Sequence, residues 1–276
     1  MALSHLPDGM IDLQVRSVAP TRGWAWIAGG FMLFLRSPVQ WIVVLLILFA
    51  AKWVLSAVPV KLLAALFSAV AMLLMPVFMA GLMDGCRALE EGRPLKVGHL
   101  AQGFRRNAAN LVTLGGIYLV GNMIILMIIL SIGGEAITAM ATTLAKHSTI
   151  TPQIRGQMQE ATTTVARAVL VGAALSLPLL MALYFAPLLA YFEGIKPLQA
   201  LKLSILACLK NMLPMLVYAL VLLAGLVVLV PIGVRFREFD LGLWLMAPVL
   251  VPSIYVSYRD IFVTGEQDAP PVKFQV

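Results

Sequence analysis

Three carboxylates leave apolar stretches in similar settings: Asp84 in "MPVFMAGLMDG" (75–85), Glu193 in "APLLAYFEG" (186–194) and Asp260 in "APVLVPSIYVSYRD" (247–260). Each has a cation close by in the chain: Arg87, Lys196 and Arg259. Carboxylates at such exits do one of two jobs. They form ion pairs that mark where the chain leaves a low-dielectric region, or, if Asp84, Glu193 and Asp260 converge, they line a vestibule as an acidic collar. Ion pairing with the adjacent cations is the plainer reading. One further polar residue, Asn122, lies inside the charge-free run between Arg106 and Glu135. An amide at that depth needs a partner, so Asn122 is expected to face a neighbouring helix, as glue or as a ligand contact.

Other chemistries lack their residues. His5, His99 and His147 are scattered, and no HExxH, no GxSxG elbow and no phosphate-cradling GK[ST] occurs. Cys86 and Cys208 have no histidine close in sequence and read as free thiols near an interface. Spans 2 to 6 of the reading below hold no group that ionises at depth. No catalytic, cofactor-binding or metal-binding residue is assigned, and the expectation is a protein that is not an enzyme and carries no cofactor.

The elements that must position these residues are membrane helices. Of 276 residues, 61% are hydrophobic and only 12% charged, where a soluble domain is nearer one quarter charged. Charge-free runs long enough to cross ~30 Å of hydrocarbon place spans at about 39–58, 62–82, 110–132, 167–190, 212–233 and 242–258. Lys52, in the first, is near enough to one end to snorkel. Residues 133–166 between the third and fourth spans form a helical hairpin, with Thr151 as N-cap, Pro152 at the first helical position and a turn near 148–151. The residues 1–22 and 263–276 are tails. The N-terminal stretch lacks the basic and apolar regions of a cleavable signal peptide.

Loop charge sets the orientation. Of the Lys and Arg residues, 13 fall on the side shared by both termini and 7 on the other. Both termini are therefore expected in the cytoplasm and the hairpin in the periplasm. The net charge of +7 then serves orientation and contact with anionic lipid, not nucleic acid.

Amphipathic segments precede alternate spans. In "GIKPLQALKLSILACLKN" (194–211), Leu198, Leu201, Ile205, Cys208 and Leu209 fall on one helical face, with Gln199, Lys202 and Lys210 on another. This predicts an interfacial helix with its apolar side in lipid and Lys202 and Lys210 at headgroup phosphates. "HLAQGFRRNAAN" (99–110) and "GWAWIAGGFMLFLRSP" (23–38) occupy equivalent places, and Trp24 and Trp26 suit an aromatic belt. Gly29-Gly30 and Gly115-Gly116 are expected to let helices approach closely. The chain therefore reads as an all-α membrane protein of six transmembrane helices in three pseudo-repeats, each an interfacial helix plus a helix pair.

Three stretches, "RGWAWIAGGFMLFLRSPVQWI" (22–42), "FAPLLAYFEGIKPLQALKLSILACLKNMLP" (185–214) and "PSIYVSYRDIF" (252–262), resemble a family of uncharacterised proteobacterial inner-membrane proteins with about six predicted transmembrane helices. The resemblance implies a bacterial inner-membrane location and a topology, but no activity, cofactor or site residues. Two functions remain: a non-enzymatic scaffold or envelope-assembly partner, using membrane lipids and a periplasmic protein held through residues 133–166, or a carrier or channel for a small or lipidic substrate. A cavity with polar residues converging on Asn122 favours the carrier. A dry bundle with an apolar stripe on the hairpin favours the scaffold.

Overall fold

A chain this apolar must satisfy its backbone polar groups internally, and helices are how it does so. The computed structural model describes residues 14–56, 59–146, 151–236 and 241–263. In chain order these form β1 (Gln14–Val15), α1 (Arg22–Leu35), α2 (Pro38–Ser56), α3 (Lys61–Glu90), a 3-10 helix (Val97–Ala101), α4 (Gln102–Arg105), α5 (Ala108–Lys146), α6 (Pro152–Tyr184), α7 (Ala186–Phe192), α8 (Pro197–Lys210), α9 (Met212–Phe236), α10 (Leu241–Ile261) and β2 (Phe262–Val263). Among the described residues four stretches are long and apolar enough to cross a membrane: Leu62–Glu90, Ala108–Thr143, Ile154–Phe192 and Met212–Leu229. The pair Arg22–Leu35 and Pro38–Val54, bent by 97°, makes a fifth if counted as one.

The packing divides into two compact units. The first comprises Met1–Val54, Gly81–Leu100 and Leu206–Val276. Here α1 packs on α9 and α10 through Gly23, Trp26, Gly30 and Leu33, its buried face. Glycine is required at two of these positions. A Cβ on Gly23 would lie 2.3 Å from the Pro214 carbonyl oxygen, and one on Gly30 would lie 2.6 Å from the Ser253 nitrogen. Trp26 meets Tyr218 edge-on at 5.9 Å, and the Tyr218 hydroxyl is 2.7 Å from Ser253 Oγ. Beside them β1 and β2 pair antiparallel, Gln14 opposite Val263 and Val15 opposite Phe262.

The second unit comprises Leu55–Ala80 and Ala101–Ile205. Its main seam is α5 on α6, where small residues bring the backbones together: a Cβ on Gly133 would sit 2.9 Å from that of Ala168. A Cβ on Gly115 would lie 1.8 Å from the Leu73 carbonyl oxygen. Gly30 and Gly115 thus do what their pairs were expected to do, whereas Gly116 has only Leu73 Cδ1, at 3.9 Å. Thr151 caps α6 as read from the sequence, its hydroxyl accepting from the Ile154 amide at 3.4 Å. The turn at 147–150, with His147, lies outside the described residues, as do 1–13 with His5 and the tail 264–276.

Three details differ from the sequence reading. The segment 99–110 is not one helix: a 3-10 turn and the single turn of α4 are separated from α5 by Asn107, which has φ 54°. Asp84 does not leave a helix, because α3 runs on to Glu90 and ends at Gly92, φ 78°. The counterpart of the Glu193–Gly194 exit (Gly194 φ 70°) is therefore Glu90–Glu91–Gly92; "GRPL" and "GIKPL" each open on a left-handed glycine. Finally, α6 and α7 are broken by a side chain from α8. The Phe185 amide, which would donate to Met181 in a continuous helix, donates instead to Ser204 Oγ at 2.9 Å, and that hydroxyl donates to the Met181 carbonyl at 2.6 Å. A hydroxyl inserted in the helical ladder bends it.

Candidate functional site

In the first unit the ends of α1, α3 and α10 carry a group of charged and polar side chains. Arg22 and Trp26 are four residues apart and so share a face of α1. Both reach Asp260, near the end of α10. Its Oδ2 accepts from Arg22 Nε at 2.7 Å and from Trp26 Nε1 at 2.8 Å, and its Oδ1 accepts from Arg22 Nη2 at 2.7 Å. The guanidinium is 40% exposed, the carboxylate 17% and Trp26 not at all. Tyr255 and Arg259, again four apart, both donate to Glu90 Oε2 at the end of α3. Arg36 donates to the Leu89 carbonyl at 2.9 Å. On the exposed side Arg93, then Arg87, hold the Glu91 carboxyl below the usual carboxylate range.

Next to this group, Asn211 ties down the N-terminal segment. Its Oδ1 accepts from the Val18 amide and its Nδ2 donates to the Arg16 carbonyl, each at 2.9 Å, with a further bond to Ala207. Lys210 donates to the Val15 carbonyl at 2.6 Å. In the second unit Asn107 does similar work, its amide donating to the Ala190 carbonyl at 3.0 Å.

The charged groups also pair beyond the neighbours that the sequence suggests. Asp260 pairs with Arg22 and not Arg259; Arg259 pairs with Glu90; Arg87 pairs with Glu91. Asp84 has His99 Nε2 at 4.0 Å. Asp84 and Asp260 therefore hold different partners within one unit, and Glu193 belongs to the other. Asn122 donates one amide N–H to the Tyr118 carbonyl of its own helix at 2.8 Å.

The apolar face of α8, read as lying in lipid, is revised in part, since Leu201 and Cys208 are buried in the protein. Its buried side is Ala200, Leu201, Ser204, Ala207 and Cys208, whereas Leu198, Leu206 and Leu209 are exposed beside Lys202. Small side chains, Ser204 and Leu201 hold the helix to the protein. Lys202 remains outward, and Lys210 is both exposed and bonded to Val15. Trp24 is 60% exposed, as suits a belt residue, but Trp26 is a core residue. Neither cysteine is in a disulfide and both are buried, and burial pushes the Cys208 thiol up to about 12.

Sequence reasoning passed over Glu90, Arg22, Tyr255 and Ser204. A signal existed for some of them: two donors spaced four apart at a helix end, Arg22 with Trp26 and Tyr255 with Arg259, ask for an acceptor on a facing helix. Chemically the group joins chain ends and helix ends. Asp260 has both oxygens occupied by three N–H donors.

No family model matches the chain. No solved structure matches it either. Over 94% of its length the chain is 28% identical to a probable inner membrane protein of Burkholderia thailandensis, 97% of which is covered. The resemblance read from residues 22–42, 185–214 and 252–262 therefore holds, and the chain is a polytopic membrane protein similar to proteobacterial inner-membrane proteins.

Proposed function

We propose that the protein is a non-enzymatic scaffold of the bacterial inner membrane, with six spans, both termini in the cytoplasm and a periplasmic hairpin that holds a protein partner. The observation that carries this reading is the fate of the polar side chains at depth. Thr113, Asn122, Ser131 and Ser176 each donate to a carbonyl three or four residues back in their own helix, at 2.8 Å. Groups satisfied in this way are not gathered around a substrate, as a carrier needs.

Two features support six spans. The antiparallel pairing of β1 with β2 brings residues 15 and 262 side by side, and a chain whose ends share a face crosses an even number of times. Four or six crossings then fit and five do not, so α2 and α10 both span or neither does. Their lengths, Pro38–Ser56 and Leu241–Ile261, cover about 29 and 32 Å at 1.5 Å per residue, which suits ~30 Å of hydrocarbon. The 97° bend lays α1 in the membrane plane if α2 crosses it. Three repeats are supported by the order α1–α2–α3, α4–α5–α6 and α8–α9–α10, and by the left-handed Gly92 and Gly194 and the bridging Asn107 and Asn211. The bias of loop cations sets the termini inside.

The hairpin supplies the partner surface. The 39 residues of α5 extend about 58 Å, some 28 Å more than the hydrocarbon requires. Along its distal part Gly133 faces Ala168 of α6 and Ala136 and Met140 are half-buried, while Glu135, Thr138, Thr142, Arg155, Gln157 and Glu160 are exposed. The expected apolar stripe is absent there among the described residues, Ile137 apart, so a partner would be held by polar contacts. A photo-crosslinking residue at Thr142 or Gln157 in living cells should yield a discrete protein adduct, lost when residues 136–164 are replaced by a short turn. Reporter fusions after Val276 and at 148 should mark opposite compartments. Solute flux through proteoliposomes, with no protein adduct, would instead establish the carrier.

A further inference from the structure

Beside the start of α9 lie two cations, Arg16 just after β1 and Lys210 at the end of α8. Arg16 and Lys210 are both exposed. The Lys210 ammonium is 2.6 Å from the Val15 carbonyl oxygen, and that carbonyl is bonded to the Arg16 nitrogen, so the two residues are neighbours. Neither is paired with a carboxylate among the described residues; Asp260, next to the Ile261 whose carbonyl accepts from the Arg16 amide, is taken up by Arg22 and Trp26. An ammonium with one donor spent on a carbonyl keeps two for an anion.

What flanks this pair is apolar and continuous with a span. Leu209, Met212, Leu213 and Leu216 are exposed, and the exposed stripe runs on down α9 through Leu220, Leu223 and Val227. Met212–Leu229 covers about 27 Å, close to the hydrocarbon thickness. Lys210, two residues before Met212, is therefore at the edge of the hydrocarbon. The packing of Gly23 on Pro214 and Tyr218 brings Trp24 to the same level, and Trp24 is the exposed indole of α1. Two cations at headgroup depth, an indole at the boundary and leucines directly below match one occupant in charge and in polarity: an anionic phospholipid, its phosphate on Arg16 and Lys210 and its chains along the α9 stripe.

We infer that Arg16, Lys210 and Trp24 form a binding site for the headgroup of an anionic phospholipid. The inference needs α9 to be a span and uses nothing else of the scaffold reading; a hairpin without a partner would leave it standing. Each cation near an anionic surface contributes roughly fivefold in affinity, so the pair should give on the order of 20-fold.

Full-length protein in a neutral detergent, titrated with short-chain phosphatidylglycerol or phosphatidylcholine and read by native mass spectrometry, tests it. The wild type should bind the first lipid roughly 20-fold more tightly, and Arg16→Gln with Lys210→Gln should reduce that preference to a few-fold at most. Arg16→Lys with Lys210→Arg should keep it, as should Arg155→Gln on α6. Millimolar inorganic phosphate should not displace the lipid; equal competition by phosphate would show an anion site without lipid specificity and overturn the proposal. So would a preference unchanged in the double glutamine variant. If that variant fails to fold, wild-type protein in bilayers decides. The fluorescence difference between wild type and Trp24→Phe should be quenched more by brominated phosphatidylglycerol than by brominated phosphatidylcholine, and equal quenching refutes the site.

Discussion

Replacing Asp260 with alanine separates the contribution of a buried donor from that of an exposed ion pair. Two partners lose their acceptor, and they are not equivalent. Trp26 is fully buried, so its indole N–H, now 2.8 Å from the carboxylate, would be left without an acceptor, at about 1–3 kcal/mol. Arg22 is bidentate at 2.7 Å, but its side chain is 40% exposed. Water can take over its bonds, and the discounted loss is about 0.5–1 kcal/mol. Asp260→Ala should thus cost about 1.5–4 kcal/mol in all. Arg22→Gln should cost only about 0.5–1 kcal/mol, because the carboxylate keeps Trp26. Asp260→Asn, which retains an acceptor, should fall between. Unfolding in mixed micelles of dodecyl maltoside and SDS, followed by tryptophan fluorescence, gives the ranking under a two-state treatment. Hydrogen exchange localises it: the Arg16 amide donates to the Ile261 carbonyl at 2.9 Å and should exchange roughly 10- to 700-fold faster in Asp260→Ala if the loss is felt there in full, at 1.4 kcal/mol per decade. An Arg22→Gln variant as unstable as Asp260→Ala would refute the reasoning, since the exposed pair would then outweigh the buried indole.

Other substitutions test the close packing and the helix break. Gly115→Ala should destabilise by about 1–3 kcal/mol or shift the helices, because its methyl meets the Leu73 carbonyl. Gly116→Ala has room and should be neutral or slightly stabilising, and thermal unfolding in detergent should separate the two. Ser204→Ala removes the hydroxyl between Phe185 and Met181 and should cost about 1–3 kcal/mol; no change would mean that the break needs no side chain to hold it. Asn122→Leu should cost no more than about 0.6 kcal/mol, since its amide serves its own helix, and a larger loss would point to a partner across the seam. Cys208, buried and pushed up to about 12, remains a neutral thiol at pH 8, so maleimide should label it slowly until SDS is added.

Much of the architecture was legible because it depends on composition and period alone. Charge-free runs mark helices in a medium without water, "TP" at 151–152 marks a helix start, and paired glycines mark close approach; each is a local rule. The same local rules went only part of the way for α8: its apolar face was read as turned to lipid, and Leu198 and Leu209 are exposed, but Leu201 and Cys208 of that face are buried. The protein also packs this helix by Ala200, Ser204 and Ala207, since close backbone approach favours small groups and exposed leucine costs nothing against lipid. They failed for Asp84, whose glycine neighbour looked like a helix end although α3 continues to Glu90.

The charges were the least legible part. Arg259 and Asp260 are adjacent in the chain, yet one pairs with Glu90 and the other with Arg22, because successive residues on a helix point about 100° apart and meet different neighbours. By itself the sequence determined that this chain lies in a membrane as long helices and where those helices run, since both follow from transfer energies summed residue by residue. Only the tertiary structure decided which cation answers which carboxylate, which face of α8 turns inward and that the two chain ends pair, because these depend on residues as far apart as Val15 and Phe262 being brought together.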